Sequence, residues 1–224
     1  VLFIFCLPSF PTSKKTSKGE KMTMKHIVEA ILHNPSLLGV SLLSGIRNLT
    51  QRGITLFLPF YLIETYKTDP ATIGIGLGIY AAASILPETL IGYLSDRISR
   101  KIIIIIALLV GGVGLIYIPY AGDGTALFIT LAIVGSTLSI RSVLFAYAFE
   151  TTDPEYSGSV VGLMFTNNQI ISGIGVLSIG IISDLWGTDK TFWFIAFACF
   201  AFTPLFLLLS RSSFSKKRIL QETI

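Results

Sequence analysis

The sequence predicts an all-α membrane protein of six spanning helices, built as two inverted triplets. Three observations carry that expectation. Of 224 residues, 52% are hydrophobic and only 13% charged, with a mean hydropathy of +0.73, whereas a soluble domain carries about 25% charged residues. The apolar residues gather into six runs, each long enough for the roughly 20 residues that a bilayer core of about 30 Å requires. One tag also occurs twice, at the ends of two of those runs, as Ile91-Gly92-x-x-Ser95-Asp96 and Ile179-Gly180-x-x-Ser183-Asp184. The first copy continues Arg97-Ile98-Ser99-Arg100-Lys101; the second continues Leu185-Trp186-Gly187-Thr188-Asp189, with no basic cluster. Cytoplasmic loops retain Lys and Arg far more than external ones, so the asymmetry points to a unit duplicated in opposite orientations.

Taken in order, Val1 to Leu7 is apolar but too short to span, and it lacks the basic start of a signal peptide. Residues 1–10 are expected to be the end of a preceding transmembrane helix, which makes the chain a fragment. A linker over 11–36 carries Lys14, Lys15, Lys18, Lys21 and Lys25. Within it Met24, Ile27, Val28, Ile31 and Leu32 share one helical face, with Lys25, Glu29 and His33 off it, the pattern of a helix lying on a membrane surface. The spans follow at 37–63, 72–95, 102–120, 125–149, 158–184 and 191–210, forming a bundle over 37–212. Turn signals part them: Lys67-Thr68-Asp69-Pro70, Asp96 to Lys101, Gly122-Asp123-Gly124, Asp153-Pro154-Glu155 and Gly187 to Lys190. Connections this short make neighbouring helices antiparallel. A basic tail closes the chain over 213–224.

Orientation follows from the 17 basic residues. Twelve lie in the linker, the loop after the second span (Arg97, Arg100, Lys101) and the C-terminal segment (Arg211, Lys216, Lys217, Arg218), while the alternate loops hold only Lys67 and Lys190. The linker, the 96–101 loop and the C-terminus are therefore expected on the cytoplasmic side of a cell membrane. Charge placed by topology in this way excludes a nucleic-acid partner. Cys6 and Cys199 both sit in apolar runs, and His26 and His33 both sit in the linker, so no metal site or catalytic set is expected. No Ser-His-Asp set, H-E-x-x-H or Walker loop occurs, no cofactor is implied, and an enzyme or ATP-driven pump is not expected.

The segment Gly92-Tyr93-Leu94-Ser95-Asp96-Arg97-Ile98-Ser99-Arg100-Lys101 resembles the G-x-L-x-D-R-x-x-R-K loop of the major facilitator superfamily. Leu58-Pro59-x-Tyr61-Leu62, and Gly180-x-x-x-Asp184-x-x-Gly187 followed by Phe192, are similar to that family too, with Ser99 standing where the family usually has glycine. The resemblance covers about 1–212. It implies the linker and C-terminal half of a twelve-helix fold whose halves are each 3+3 inverted repeats, and hence an N-terminal six-helix half as partner. Gly45, Gly74, Gly78, Ala81, Ala82, Gly173 and Gly175 are the small-residue surfaces expected to meet it. Read physically, Gly92 permits close helix approach, and Asp96 suits a neighbouring helix N-terminus. Arg97 and Arg100 can reach Glu150. An Asp96–Arg97–Glu150 cluster that stabilises one conformation is expected; the alternative is that these residues and Lys101 only set topology.

Charged side chains inside spans are costly and mark function by default. Here they are Arg47 and Arg52 in the first span, Glu88 in the second and Arg141 in the fourth, joined by Asn48, Gln51, Asn167, Asn168 and Gln169. At about 1.5 Å rise per residue, they fall into one layer near the midplane. The third and sixth spans carry no charge and are expected to back onto lipid. Each residue has a plainer alternative: Arg141 and Glu88 a structural ion pair, Arg47 or Arg52 bonded to backbone carbonyls, Asn167 and Asn168 interhelical glue. Tyr80, Ser84 and Glu88 share a stripe that either lines a pathway or simply packs. Together Arg47, Asn48, Gln51, Arg52, Glu88, Arg141, Asn167 and Asn168 are the candidate substrate site. The expected function is secondary transport of a small solute by alternating access, with excess arginine favouring an organic anion and Glu88 the one carboxylate available for proton coupling. The alternative is a membrane scaffold or sensor that kept the fold and lost transport.

Overall fold

A computed structural model describes residues 34–152 and 156–221 of the chain. The expected helix end over 1–10 and the linker helix around Met24 to Leu32 lie outside the described residues, as do the side chains of Asp96 and of residues 211–221.

The described residues form helices α1 (Pro35–Tyr66), α2 (Pro70–Arg97), α3 (Arg100–Tyr117), α4 (Thr125–Thr137), α5 (Arg141–Glu150), α6 (Ser157–Trp186) and α7 (Thr188–Gln221), with a 3-10 turn at Ile118–Tyr120. Local chemistry sets the boundaries. Asn34 caps α1 by accepting from the Leu37 amide, and Pro35 occupies the first turn, where its missing N–H costs nothing. Asp69 and Pro70 do the same for α2. Lys67 (φ 54°) ends α1 in the left-handed region, and Gly122 (φ 72°) turns the chain before α4.

Packing follows the two triplets. The first helix of one triplet, α1, packs across the second and third helices of the other, α6 and α7; the fourth span, α4 with α5, packs across α2 and α3. The third helices, α3 and α7, meet each other. This exchange is the one a two-fold inverted relation produces. Two glycines show how close the approach is: a Cβ on Gly135 would lie 2.5 Å from the Tyr80 carbonyl oxygen of α2, and one on Gly175 would lie 2.4 Å from Leu49 of α1.

Among the described residues, five helical stretches are long and apolar enough to cross a membrane: Pro70–Ser95, Arg100–Tyr120, Thr125–Glu150, Ser157–Trp186 and Thr188–Ser210. The protein is a multi-pass membrane protein. α1 is not among the five, although its 32 residues reach about 48 Å; Arg47, Asn48, Gln51 and Arg52 dilute its apolar character. Two further differences from the sequence reading stand out. α7 continues as helix to Gln221, through most of the expected tail. The fourth span is not one helix: it breaks over 138–140.

The expected small-residue surface also divides. Gly74, Gly78 and Gly173 face open space, but Gly45 is filled by Ile171 and Gly175 by Leu49. Those two serve packing inside the bundle and are not free to meet a second half.

Candidate functional site

On α1, Arg47, Gln51 and Thr55 recur every four residues and so share one helix face. They form a wall common to two cavities. The larger, about 530 Å³, is lined by Ser44, Arg47, Asn48, Gln51, Arg52, Thr55 and Leu56 of α1, Arg141 of α5, and Phe165, Asn168 and Gln169 of α6. The smaller, about 390 Å³, lies on the other side of Arg47 and is closed by Leu77, Gly78, Tyr80, Ala81 and Ser84 of α2 with Gly135 and Leu138. Three arginines face the larger cleft, and no carboxylate is among the described residues that line either cavity.

Each arginine is held differently. Arg47 donates from Nε to the Leu138 carbonyl at 3.1 Å. Arg52 donates to Gln169 Oε1 across the mouth of the cleft. Arg141 lies 5.5 Å from the Phe165 ring centroid, a cation–π arrangement, and its guanidinium donates to no described residue. Asn168 is 8% exposed and its Oδ1 has no hydrogen-bond partner among the described residues.

The remaining candidates are spent on structure or stand apart. Asn48 donates to Asn168 O (3.3 Å) and Ser172 Oγ (3.2 Å), and Asn167 to Ser41 Oγ (2.7 Å), so both tie α1 to α6. Asn167 does not line the cleft. Glu88 lines neither cavity and forms no ion pair with Arg141 among the described residues, which removes the expected alternative of a structural pair. It remains within electrostatic reach of Arg47. Sequence reasoning did not select Ser44, Thr55, Leu56 and Phe165, although four-residue spacing places Thr55 on the stripe of Arg47 and Gln51, and Ser44 and Leu56 on that of Asn48 and Arg52. Tyr80 and Ser84 do line a pathway-side cavity, but Glu88, on the same stripe, does not.

The break in the fourth span lies against this site and is flanked by bonds to α2. Pro87 has no N–H, so the Ala83 carbonyl loses its helical donor. In a membrane such a group must find another partner. Ser136 Oγ shares its single proton between Ala132 O of its own helix (2.6 Å) and Ala83 O (3.2 Å), while Ser139 Oγ donates to Ser84 O (2.7 Å) and Ser142 Oγ to Glu88 O (3.4 Å). Three serines at three-residue spacing thus track the carbonyls around the proline, and the chain opens between them.

At the far end of α2 the loop differs from expectation. Glu150 pairs with Arg100 at 3.3 Å. Arg97 instead donates to the Tyr93 hydroxyl and lies 4.9 Å from the same ring's centroid. The expected Arg97–Glu150 contact is not made, because Arg97 ends α2 and turns back along it, while Arg100 opens α3 and faces α5. Lys101 donates to Ser210 O at 3.0 Å. Gly92 comes within 3.6 Å of Ser142 Oγ when given a Cβ, so the helices meet there without crowding.

A multi-pass bundle of inverted triplets with a cationic cleft at its middle is the architecture of a solute carrier. The chain belongs to the Major Facilitator Superfamily, which it matches over residues 1–223. It is 33% identical to an uncharacterized transporter of Buchnera aphidicola subsp. Schizaphis graminum (strain Sg), over 68% of this chain and 40% of that protein. It is 28% identical to the inner membrane transport protein YnfM of Escherichia coli (strain K12), over 62% of this chain and 33% of that one. To the multidrug resistance protein MdtG of Proteus mirabilis (strain HI4320) it is also 28% identical, over 75% and 44%. The chain therefore spans less than half the length of these relatives.

Proposed function

We propose that the chain supplies one half of a secondary active transporter that moves a small anionic solute by alternating access, together with a second six-helix half. The observation that carries the reading is the cleft lined by Arg47, Arg52 and Arg141 with no carboxylate among its described lining residues. Uncompensated positive charge in a low-dielectric bundle is costly, and a carboxylate or phosphate offsets it by accepting paired N–H bonds from the guanidinium forks. Arg141 is the first residue of α5, so the positive end of that half-helix adds to the same field. Glu88, free of an ion pair with Arg141, is the group we assign to proton coupling. We place the 96–101 loop and the C-terminus on the cytoplasmic face of the cell membrane, on the strength of the basic residues there.

The test is a thermal-shift panel on the full-length transporter in detergent, with inorganic phosphate, succinate, a sugar phosphate, neutral sugars and drug-like cations. The cations belong in it because one relative is named for multidrug resistance. A ligand that binds the folded state raises the melting temperature by mass action. A shift confined to anions and lost in Arg141→Ala supports the reading; a shift confined to cations or sugars overturns it. Uptake into proteoliposomes then separates carrier from scaffold or sensor: the former accumulates the shifting anion under an imposed pH gradient, and Glu88→Gln abolishes the response to the gradient. For orientation, a membrane-impermeant maleimide is expected to label Asp123→Cys but not Ser99→Cys in intact cells.

A further inference from the structure

Arg47 does two things at once. Its Nε–H is committed to the Leu138 carbonyl at 3.1 Å, on the last residue before the chain opens. Its two Nη groups hold no hydrogen bond to any described residue, and the side chain lines both cavities. Leu138 ends α4, so its carbonyl lies at the negative end of a helix dipole with no following helical amide to meet it. A guanidinium is the side chain best suited to that position, because one edge can cap a carbonyl while the other stays available for an anion.

We propose that Arg47 is a positioning residue that holds the fourth span open at 138–140 and ties the state of that break to the occupancy of the cleft. The serines at 136, 139 and 142 are bonded to α2, so they fix where the span lies. Among the described residues, Arg47 is the α1 side chain hydrogen-bonded to the break, and α1 carries most of the cleft. An anion on the Nη edge draws on the same delocalised cation that caps Leu138, and binding is thereby felt at the break. The second half of this statement rests on the anionic reading of the cleft; the first does not.

Side-chain chemistry separates the two roles. In Arg47→Gln the amide nitrogen stands where Nε stood, so the cap survives and the charge is lost. In Arg47→Lys the charge survives, but no donor stands at that position. Spin labels at Ile133→Cys and Phe149→Cys, on the exposed faces of α4 and α5, bracket the break in a cysteine-free background of the full-length transporter. Without any ligand, pulsed-EPR distances in Arg47→Gln are expected to match the parent. Arg47→Lys and Arg47→Ala are expected to broaden the distribution and add a second population. Parent-like distances in Arg47→Lys and Arg47→Ala, or broadening in Gln but not in Lys, would overturn the proposal. Because this measurement needs no solute, it stands or falls apart from the anion panel. If the panel finds an anion, its thermal shift is expected to vanish in Arg47→Gln while the break stays intact.

Discussion

The two copies of the repeated tag sit 88 residues apart, Gly92 against Gly180 and Asp96 against Asp184, and the same offset pairs Arg100 with Thr188. Both residues reach an acid at the end of the opposite triplet's first span. Arg100 takes Glu150 at 3.3 Å, and the Thr188 hydroxyl donates to Glu64 Oε2 at 2.8 Å. One architecture thus carries the same clasp at both ends, ionic at one and neutral-to-charged at the other. The difference teaches that the fold needs a contact at this position but not a particular charge. The basic residue appears where the positive-inside rule would put it, on the face we propose to be cytoplasmic.

The sharpest way to break the comparison is at the residue before the clasp. Gly187 has φ +96° and ψ 155°, a conformation nearly closed to other residues, and a Cβ there would stand 3.0 Å from Asp189 Oδ1. Its counterpart Ser99, at φ −53° and ψ 120°, is unstrained. Gly187→Ser is therefore expected to cost about 1–3 kcal/mol, and Ser99→Gly no more than about 1 kcal/mol, measured as thermal stability in detergent. Equal costs would mean that the copies share a backbone that their dihedrals deny.

Next come the clasps themselves. Arg100→Thr, which installs the other copy's residue, is expected to cost about 0.5–1 kcal/mol. The Glu150 side chain is 56% exposed, and pairs this open are worth little. A double-mutant cycle with Glu150→Gln should return a coupling that shrinks as salt rises. Thr188→Val removes a single exposed hydrogen bond and is expected to cost about 0.5 kcal/mol. A larger loss at Thr188 than at Arg100 would reverse the ranking.

The span ends were legible where they are local: Asp69-Pro70 and Gly187 mark them in the sequence. The polar layer was legible for the same reason that makes it costly, since Arg47, Arg52 and Arg141 stand out against apolar neighbours. What could not be read was partnership. Nothing in Ser136-Thr137-Leu138-Ser139-Ile140 breaks a helix by itself; no proline or glycine lies there. The partners lie some fifty residues away, where Pro87 frees the Ala83 carbonyl and Ser136 and Ser139 bond the Ala83 and Ser84 carbonyls across the helix interface. Of the two arginines expected to reach Glu150, Arg100 does, and placing Arg97 in the cluster failed in a similar way. Both lie within reach in sequence, and only the turn at Ile98-Ser99 decides which one faces α5.

The smallest expected effect separates the starts of the second helices in the two triplets. Asp69 caps α2, accepting from the Thr72 amide at 3.0 Å and the Thr72 hydroxyl at 2.7 Å, whereas Tyr156 before α6 offers no side-chain cap. Those hydrogen bonds hold the Asp69 carboxyl below its ordinary range. A carboxylate with a depressed folded pKa stabilises the native state above its unfolded pKa, and that contribution is lost as pH falls through the folded value. The melting temperature of the parent should therefore fall further than that of Asp69→Asn on acidification below the ordinary aspartate range, with the two converging in pH dependence above it. Full exposure keeps the difference small. A parent and variant that track each other throughout would show that the α2 cap, though formed, does no more for its helix than Tyr156, which makes no side-chain cap bond, does for α6.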